Sequence, residues 1–590
     1  SFDEGLTWSA PVLLSRDAAG QPTGGQTITT RGAYVTSADN NKPNIFAPPT
    51  TTGPRIVVTW TSAYCPQDPS ASHAGAYTSA VQGQSALVNG GAVDHAFYCL
   101  WTATTTDPLL ATWETTQLTN GSRDAIGDVV TGNATGTAYA LTWQEDPAGL
   151  KPGEAEGPGD GGSGATVTPG TNIWYSSAAT PSGAAWRTNL KQVSDNNSAA
   201  LGAAGASRPN LSVSGSTAVL AYEETACTGG SKGKCVMYHS FPTLAPPFNT
   251  TPGAAGDAGT VVSDVTKNAR RVRLVLQGAA AAPTSNVRAL LLWRESAPSA
   301  EAGAPADIVV RRGLANASAS GSSGLSASDI LLDTPRYLTN VAATGGNANA
   351  QRALIRNNFM ALAYDMTPSM QGANPERTQP VTASYNLYLT RSLDGGATWE
   401  SARNVSQLTD LSMRVVEPRI MATPGTLINP LTGVADEGDT QNSNVFYLAY
   451  ATEQNSLLPK TGRVYVTRTT DQGATFEPFV PVSPQAAGQS EVQLRAKSDG
   501  TSVGALWMQE QTVGNAQTND VMFASAVPVA LLAPDVVAPA TPVNAAADGG
   551  GGCSSASGTA LFDPLLLLLA ALGAVGLRLR RVQKGRSQGV

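Results

Sequence analysis

The chain has 590 residues, a net charge of −7 and only 14% charged residues, against roughly 25% in an ordinary soluble domain. About one residue in six is glycine or proline, a mix that disfavours helical bundles and suits many short strands joined by turns. A pI near 5.2 without a long basic run before the C-terminus argues against nucleic acid as a partner, and three scattered histidines (His73, His95, His239) argue against a histidine-rich metal centre.

Ser1-Phe2-Asp3 reads as the middle of a motif, so a fragment or processed product is expected, with any export signal outside it. Beyond it, apolar stretches ending in an aromatic recur at residues 55–60, 138–143, 218–222, 289–293, 360–364, 446–450 and 503–507. Most are trailed by an acid: Glu145, Glu223, Glu295, Asp365, Glu453, Glu510. A short apolar segment precedes each stretch (Pro43-Asn44-Ile45-Phe46, Pro209-Asn210-Leu211, Pro418-Arg419-Ile420-Met421) and another follows (173–175, 308–310, 387–389, 464–466). A period of roughly 60–85 residues, with several strands per repeat, predicts a β-propeller. Units starting near 42, 125, 207, 268, 347 and 415 carry four strands or remnants of them, and a seventh from about 490 to 525 carries three. The expectation is therefore all-β and seven-bladed, with six blades as the alternative. Residues 7–15 are expected to supply the last blade's missing outer strand and so close the ring.

A sharper motif precedes the outer strands. Asp3, Gly5, Thr7 and Trp8, and again Asp394, Gly396, Thr398 and Trp399, fit Ser-x-Asp-x-Gly-x-Thr-Trp. Asp471, Gly473, Thr475 and Phe476 are a near match, while residues 183–186 and Thr112-Trp113 keep only the tail. The copies run into strands ending in a hydroxyl: Ser15, Thr119, Ser194, Ser406, Ser483. The motif resembles the Asp box, or bacterial neuraminidase repeat, of sialidase-like propellers, over about residues 1–530. Its physical role is that of a turn-maker: the carboxylate accepts turn N–H groups, the glycine supplies a positive φ, and the aromatic packs inward.

Cys65 and Cys99, and likewise Cys227 and Cys235, flank the second-to-third strand connection of their units. Two disulfides and an oxidising compartment are expected, with buried free thiols as the alternative. Neither pair has zinc-ligand spacing. Residues 531–552 form a Pro/Ala/Gly linker, and 553–590 hold an apolar run (565–577) followed by Arg578, Arg580, Arg581, Lys584 and Arg586. A short transmembrane helix with its basic end in the cytoplasm is expected. With Gly549, Gly550, Gly551, Gly552 and Cys553 before it, the tail resembles bacterial C-terminal sorting signals of the Gly-Gly type. That resemblance implies a rhomboid-like sorting protease and an extracytoplasmic place on the cell envelope; a plain membrane anchor is the alternative.

Lys42, Arg208, Arg270 or Arg271, Arg352, Glu417, Arg419 and Glu491 align near the start of the innermost strands, where a propeller's ligand site usually opens. The sialidase resemblance implies three arginines on a substrate carboxylate, a Tyr/Glu nucleophile pair and an Asp acid/base. The aromatic-Arg-Ile-Pro motif of that family is absent, however: Pro54-Arg55-Ile56-Val57 falls in a second strand, and no Tyr/Glu pair is assignable by spacing. No catalytic residue, cofactor or metal is assigned; Asp160-Gly161-Gly162 and Asp436-Glu437-Gly438-Asp439 lack calcium-loop spacing. The reading is a non-catalytic propeller binding a glycan or surface protein, with a sialidase-like glycoside-acting enzyme or an envelope scaffold as alternatives.

Overall fold

The computed structural model describes residues 10–17, 19–30, 35–48, 55–66, 85–87, 94–107, 112–133, 135–146, 171–196, 205–225, 227, 234–248, 259–277, 287–298, 304–315, 330–370, 373, 382–422, 443–454, 461–484, 486–496, 503–513 and 516–526. The first motif copy, the two acidic loops, the linker, the glycine run with Cys553 and the C-terminal apolar run lie outside these residues. Among the described residues, no helix is long and apolar enough to cross a membrane.

Seven antiparallel sheets follow one another along the chain, the blades of a seven-bladed propeller. Blade 1 runs Asn40–Phe46, Ile56–Ser62, Cys99–Thr105, Glu114–Gln117 from inside to outside. The inner strands of blades 2 to 7 are Asp124–Gly132, Ala206–Ser214, Asn268–Leu276, Asn347–Arg356, Met413–Ala422 and Gln489–Ala496. Second strands are buried on both faces, as in Tyr139–Asp146. They therefore read as continuous apolar runs rather than alternating ones. The aromatic that ends each run often stacks on the residue directly opposite in the third strand: Trp60 on Trp101, Trp143 on Trp174, Tyr364 on Tyr388, Tyr450 on Tyr465. Between blades, aliphatic side chains interlock, as where Val57, Leu100 and Leu118 of blade 1 meet Tyr139, Leu141 and Trp143 of blade 2.

In blades 1 to 6 one hydroxyl ties the outer strand to the third. Thr119, Ser194, Ser263, Thr339, Ser406 and Ser483 accept from the backbone N–H of Leu100, Ile173, Val236, Ile308, Leu387 and Val464, at 2.8–2.9 Å. The register equivalent of Val464 in blade 7 is Val521, which is 73% exposed where Val464 is 0%. Here the expected closure needs correction. Residues 10–15 form no strand, and the Leu14 carbonyl accepts from Thr115 Oγ1 (3.2 Å) while its side chain packs on Trp60 and Trp101 of blade 1. Through Leu14 the segment rests on blade 1 and does not pair with Ala516–Ala526, which leaves blade 7 three-stranded among the described residues.

The two described motif turns share one hydrogen-bond pattern. Asp394 accepts from Thr398 N (2.9 Å) and Oγ1 (2.6 Å), and Asp471 from Thr475 N (2.9 Å) and Oγ1 (2.6 Å). Gly396 and Gly473 have φ of 80° and 77°. Arginines of the preceding blade brace both turns, with Arg312 Nη1 on Gly395 O and Arg391 Nη1 on Gln472 O, each 2.9 Å. Residues 183–186 depart from the pattern, since Gly183–Thr188 is a short helix capped by the Ser182 hydroxyl on Ala185 N. Without an aspartate there to collect turn N–H groups, the chain winds into a helical turn. Hydrogen bonds from Thr398 hold the Asp394 carboxyl down to about 2. Its stabilisation is therefore present above the ordinary carboxyl range and is lost as pH falls towards 2. Asp394→Ala should lower the melting temperature at pH 7 by ~2 °C, the gap to wild type closing between pH 4 and 2, with ligand binding unchanged.

Cys65–Cys99 and Cys227–Cys235 are both disulfides. Alkylation of the unreduced chain should label Cys553 alone, and mass-spectrometric label at any of the other four would contradict the pairing.

Candidate functional site

Each inner strand carries a β-bulge at the same place, marked by register shifts such as Asn41/Asn44, Ser207/Asn210, Arg270/Arg273, Asn349/Arg352, Val416/Arg419 and Ser490/Gln493. In six blades a bulge residue is left-handed: Lys42, Gly127, Arg208, Arg271, Ala350 and Glu417, with φ of 47–64°. Such backbone is unfavourable for a residue with a Cβ. Because Gly127 and Ala350 share it, the strain belongs to the scaffold and not to any one side chain.

Four of the residues singled out in the sequence, Lys42, Arg208, Arg271 and Glu417, thus occupy equivalent bulge positions, and Glu491 lies in the blade 7 bulge. Arg352 and Arg419 sit one step further along, at the first paired position after the bulge. Arg270 lies before the bulge, 5% exposed, with Nε on Asn268 Oδ1 at 2.9 Å.

Where blades 4, 5 and 6 meet, a pocket of about 460 Å³ opens beside these bulges. Arg271, Arg294, Asp365, Tyr385, Arg414, Glu417 and Glu453 line it. Arg294 is anchored through Nε to Ala348 O (2.8 Å) and Nη2 to Asn347 Oδ1 (2.6 Å); the Asn347 amide in turn donates to Tyr385 OH (3.0 Å). Arg271 Nη1 donates to Asn349 Oδ1 (3.0 Å), and its N–H to Glu223 Oε1 of blade 3 (2.6 Å). Arg414 pairs with Glu453 at 3.0 Å.

Asp365 stands apart from the other acids that trail second strands. Glu145 is paired with Arg123 (2.6 Å), Glu223 with Lys234 (2.9 Å) and Glu453 with Arg414, while Glu295 accepts from Trp293 Nε1 (2.8 Å). Asp365 is 4% exposed, and its Oδ1 has no partner among the described residues. Burial pushes its carboxyl up to about 6, against the pull of Arg294, Arg271 and Arg414. Burial also raises the Tyr385 phenol, which stays neutral. The Arg414 Nε is a second orphan, a buried donor without an acceptor. One polar pocket is thus lined by a residue with an unpartnered buried donor and another with an unpartnered buried acceptor.

Sequence reasoning missed Arg294, Arg414 and Tyr385, and it noted Asp365 only as one of a series. Among the described residues, no group of three or more His, Cys, Asp or Glu could hold a metal ion.

No family model matches the sequence, and no curated protein matches it. The structure is similar to Trypanosoma rangeli sialidase in complex with sialic acid, at 9% identity and a TM-score of 0.32, over 84% of this chain and 56% of that one. It is also similar to the intramolecular trans-sialidase from Ruminococcus gnavus in complex with oseltamivir carboxylate (11% identity, TM-score 0.32, 80% and 90% covered). A third similar structure is the polysaccharide lyase Uly1 (9% identity, TM-score 0.35, 80% and 87% covered).

Proposed function

We propose that this chain is a sialidase-like propeller, displayed on the outer face of a bacterial envelope, that binds an acidic sugar in the pocket between blades 4, 5 and 6. One observation carries the reading: Arg271, Arg294 and Arg414 surround a pocket in which the Arg414 Nε and the Asp365 Oδ1 lack partners. Guanidinium forks match a carboxylate's two oxygens, and a neighbouring protonated carboxyl or amide-like donor completes recognition of a sugar acid. The hydrogen bonds of the Asp394 and Asp471 turns support the Asp-box resemblance. The envelope location rests on the two disulfides together with the Gly-rich, apolar and basic order of residues 549–590.

A second reading, hydrolysis or elimination at a glycosidic bond, is favoured by the raised Asp365 carboxyl, which holds a proton at mildly acid pH and could deliver it to a leaving oxygen. The experiment is an array of acidic and neutral glycans probed with the purified full chain, beside turnover of a fluorogenic sialoside at pH 5–6. Retention of acidic glycans without turnover supports the binding reading; turnover abolished by Asp365→Asn supports the enzyme. No acidic-glycan binding and no turnover would overturn both.

A further inference from the structure

Past the bulges, the first paired residue of each inner strand forms a second ring: Asn44, Val129, Asn210, Arg273, Arg352, Arg419 and Gln493. Its three charged members are all arginines, on the consecutive blades 4, 5 and 6, and none of them lines the pocket described above. We propose that Arg273, Arg352 and Arg419 form a separate anion seat within the channel that takes a tetrahedral oxyanion, phosphate or sulfate, one guanidinium fork to each face.

The register places the three side chains at one level on neighbouring strands. Arg273 and Arg352 make no ion pair with a carboxylate among the described residues. Arg352 Nη1 turns back on the carbonyl of its own neighbour, Gln351 (2.9 Å). Arg419 is steadied by Gln493, whose side-chain oxygen, once the amide is oriented to accept, lies 3.1 Å from Nη2 and 3.3 Å from Nε. Like charges gathered in a channel wall repel strongly where water is scarce. Burial, then Arg208, Arg271 and Arg419, push the Arg273 guanidinium down to about 10, with Glu223 pulling the other way. Burial, then Arg273 and Arg419, lower Arg352, with Glu417 opposing. An anion between the three guanidinium groups converts that mutual repulsion into three charge-assisted contacts. The Asn44 amide of the same ring is held by the Asp128 carbonyl (2.9 Å) and carboxyl (3.2 Å) of blade 2, and the Asn210 amide by Arg208 O (3.2 Å), so the seat rests on the three arginines alone.

The seat stands independently of the acidic-sugar reading, and its test separates the two. The full chain is titrated with sodium sulfate and sodium phosphate against sodium chloride at matched ionic strength, and followed by melting temperature and calorimetry. The expected result is a saturable stabilisation by sulfate or phosphate with one equivalent bound, absent with chloride. Arg352→Gln and Arg273→Gln should each weaken it about tenfold or more, while Arg414→Met leaves it unchanged. In anion-free buffer Arg352→Gln should melt no lower than wild type, because it relieves repulsion. A sulfated monosaccharide included beside the inorganic ions tells whether the oxyanion arrives free or as an ester, since only the ester form makes the sugar compete with sulfate. Equal responses to sulfate and chloride, or full sulfate stabilisation retained in both Gln variants, would overturn the proposal.

Discussion

Arg414→Met is expected to weaken acidic-sugar binding about tenfold to a hundredfold, the range of one hydrogen bond to a charged group. The side chain is half-buried, pairs with Glu453 at 3.0 Å and keeps its Nε unpartnered beside the pocket. Methionine preserves the apolar stem, so packing against blade 6 survives. The substitution also removes the 3.0 Å ion pair to Glu453, and with it a positive charge beside the pocket. Arg271→Met should act in the same direction, and the double variant should lose more than either. Arg294 is a poorer probe: it holds Ala348 O and Asn347 Oδ1, so its removal strands two buried acceptors and lowers stability together with binding. Calorimetry with an acidic sugar and its neutral counterpart reads the effect. Unchanged acidic-sugar affinity in the Arg271/Arg414 double variant, at an unchanged melting temperature, would move the site elsewhere.

The blades were legible because their physics is local. A strand buried on both faces favours an apolar run, and the aromatic that ends the run often stacks on a partner opposite, so residues 138–143 and 360–364 stand out in the sequence. The bulges left a fainter mark. In Lys42-Pro43, Arg208-Pro209 and Glu417-Pro418 a proline follows the left-handed residue, at a point where the ladder has no use for its missing N–H. The pocket was hidden for the opposite reason. Whether an acid is spent on an ion pair depends on what another segment brings: Arg123 reaches Glu145, Lys234 reaches Glu223 and Arg414 reaches Glu453, whereas no basic residue among the described ones forms an ion pair with Asp365. Arg294 was masked by its place just past an apolar run, between Trp293 and Glu295. The N-terminal segment misled because its motif spells an outer strand, whereas Leu14 gains more from the apolar flank of blade 1.

The Asp365 carboxyl should make both stability and binding depend on pH in one direction. Its folded value is raised from 3.8 to about 6, chiefly by burial. Between those limits the folded chain keeps a proton that the unfolded chain has released. Acidification from pH 8 to 4 therefore stabilises the fold through this group, and the gain is lost as pH rises through about 6. A displacement of about two pH units corresponds to about 3 kcal/mol at full extent. Asp365→Asn removes the ionisation while keeping the shape. The variant should melt above wild type at pH 8, and the difference should shrink on the way to pH 4. The groups around the carboxyl set the matching effect on binding. Arg271, Arg294 and Arg414 attract an acidic ligand, Glu417 and Glu453 oppose it, and Tyr385 stays neutral throughout. Protonating Asp365 removes one opposing charge and adds a donor, so an acidic sugar should bind about tenfold tighter at pH 5 than at pH 8, and Asp365→Asn should flatten that difference. Melting curves and calorimetry of both proteins at pH 4, 5, 6, 7 and 8 supply the readout. Parallel profiles for wild type and variant would show that Asp365 does not titrate in this window, and the proton-donor reading of the pocket would fall with it.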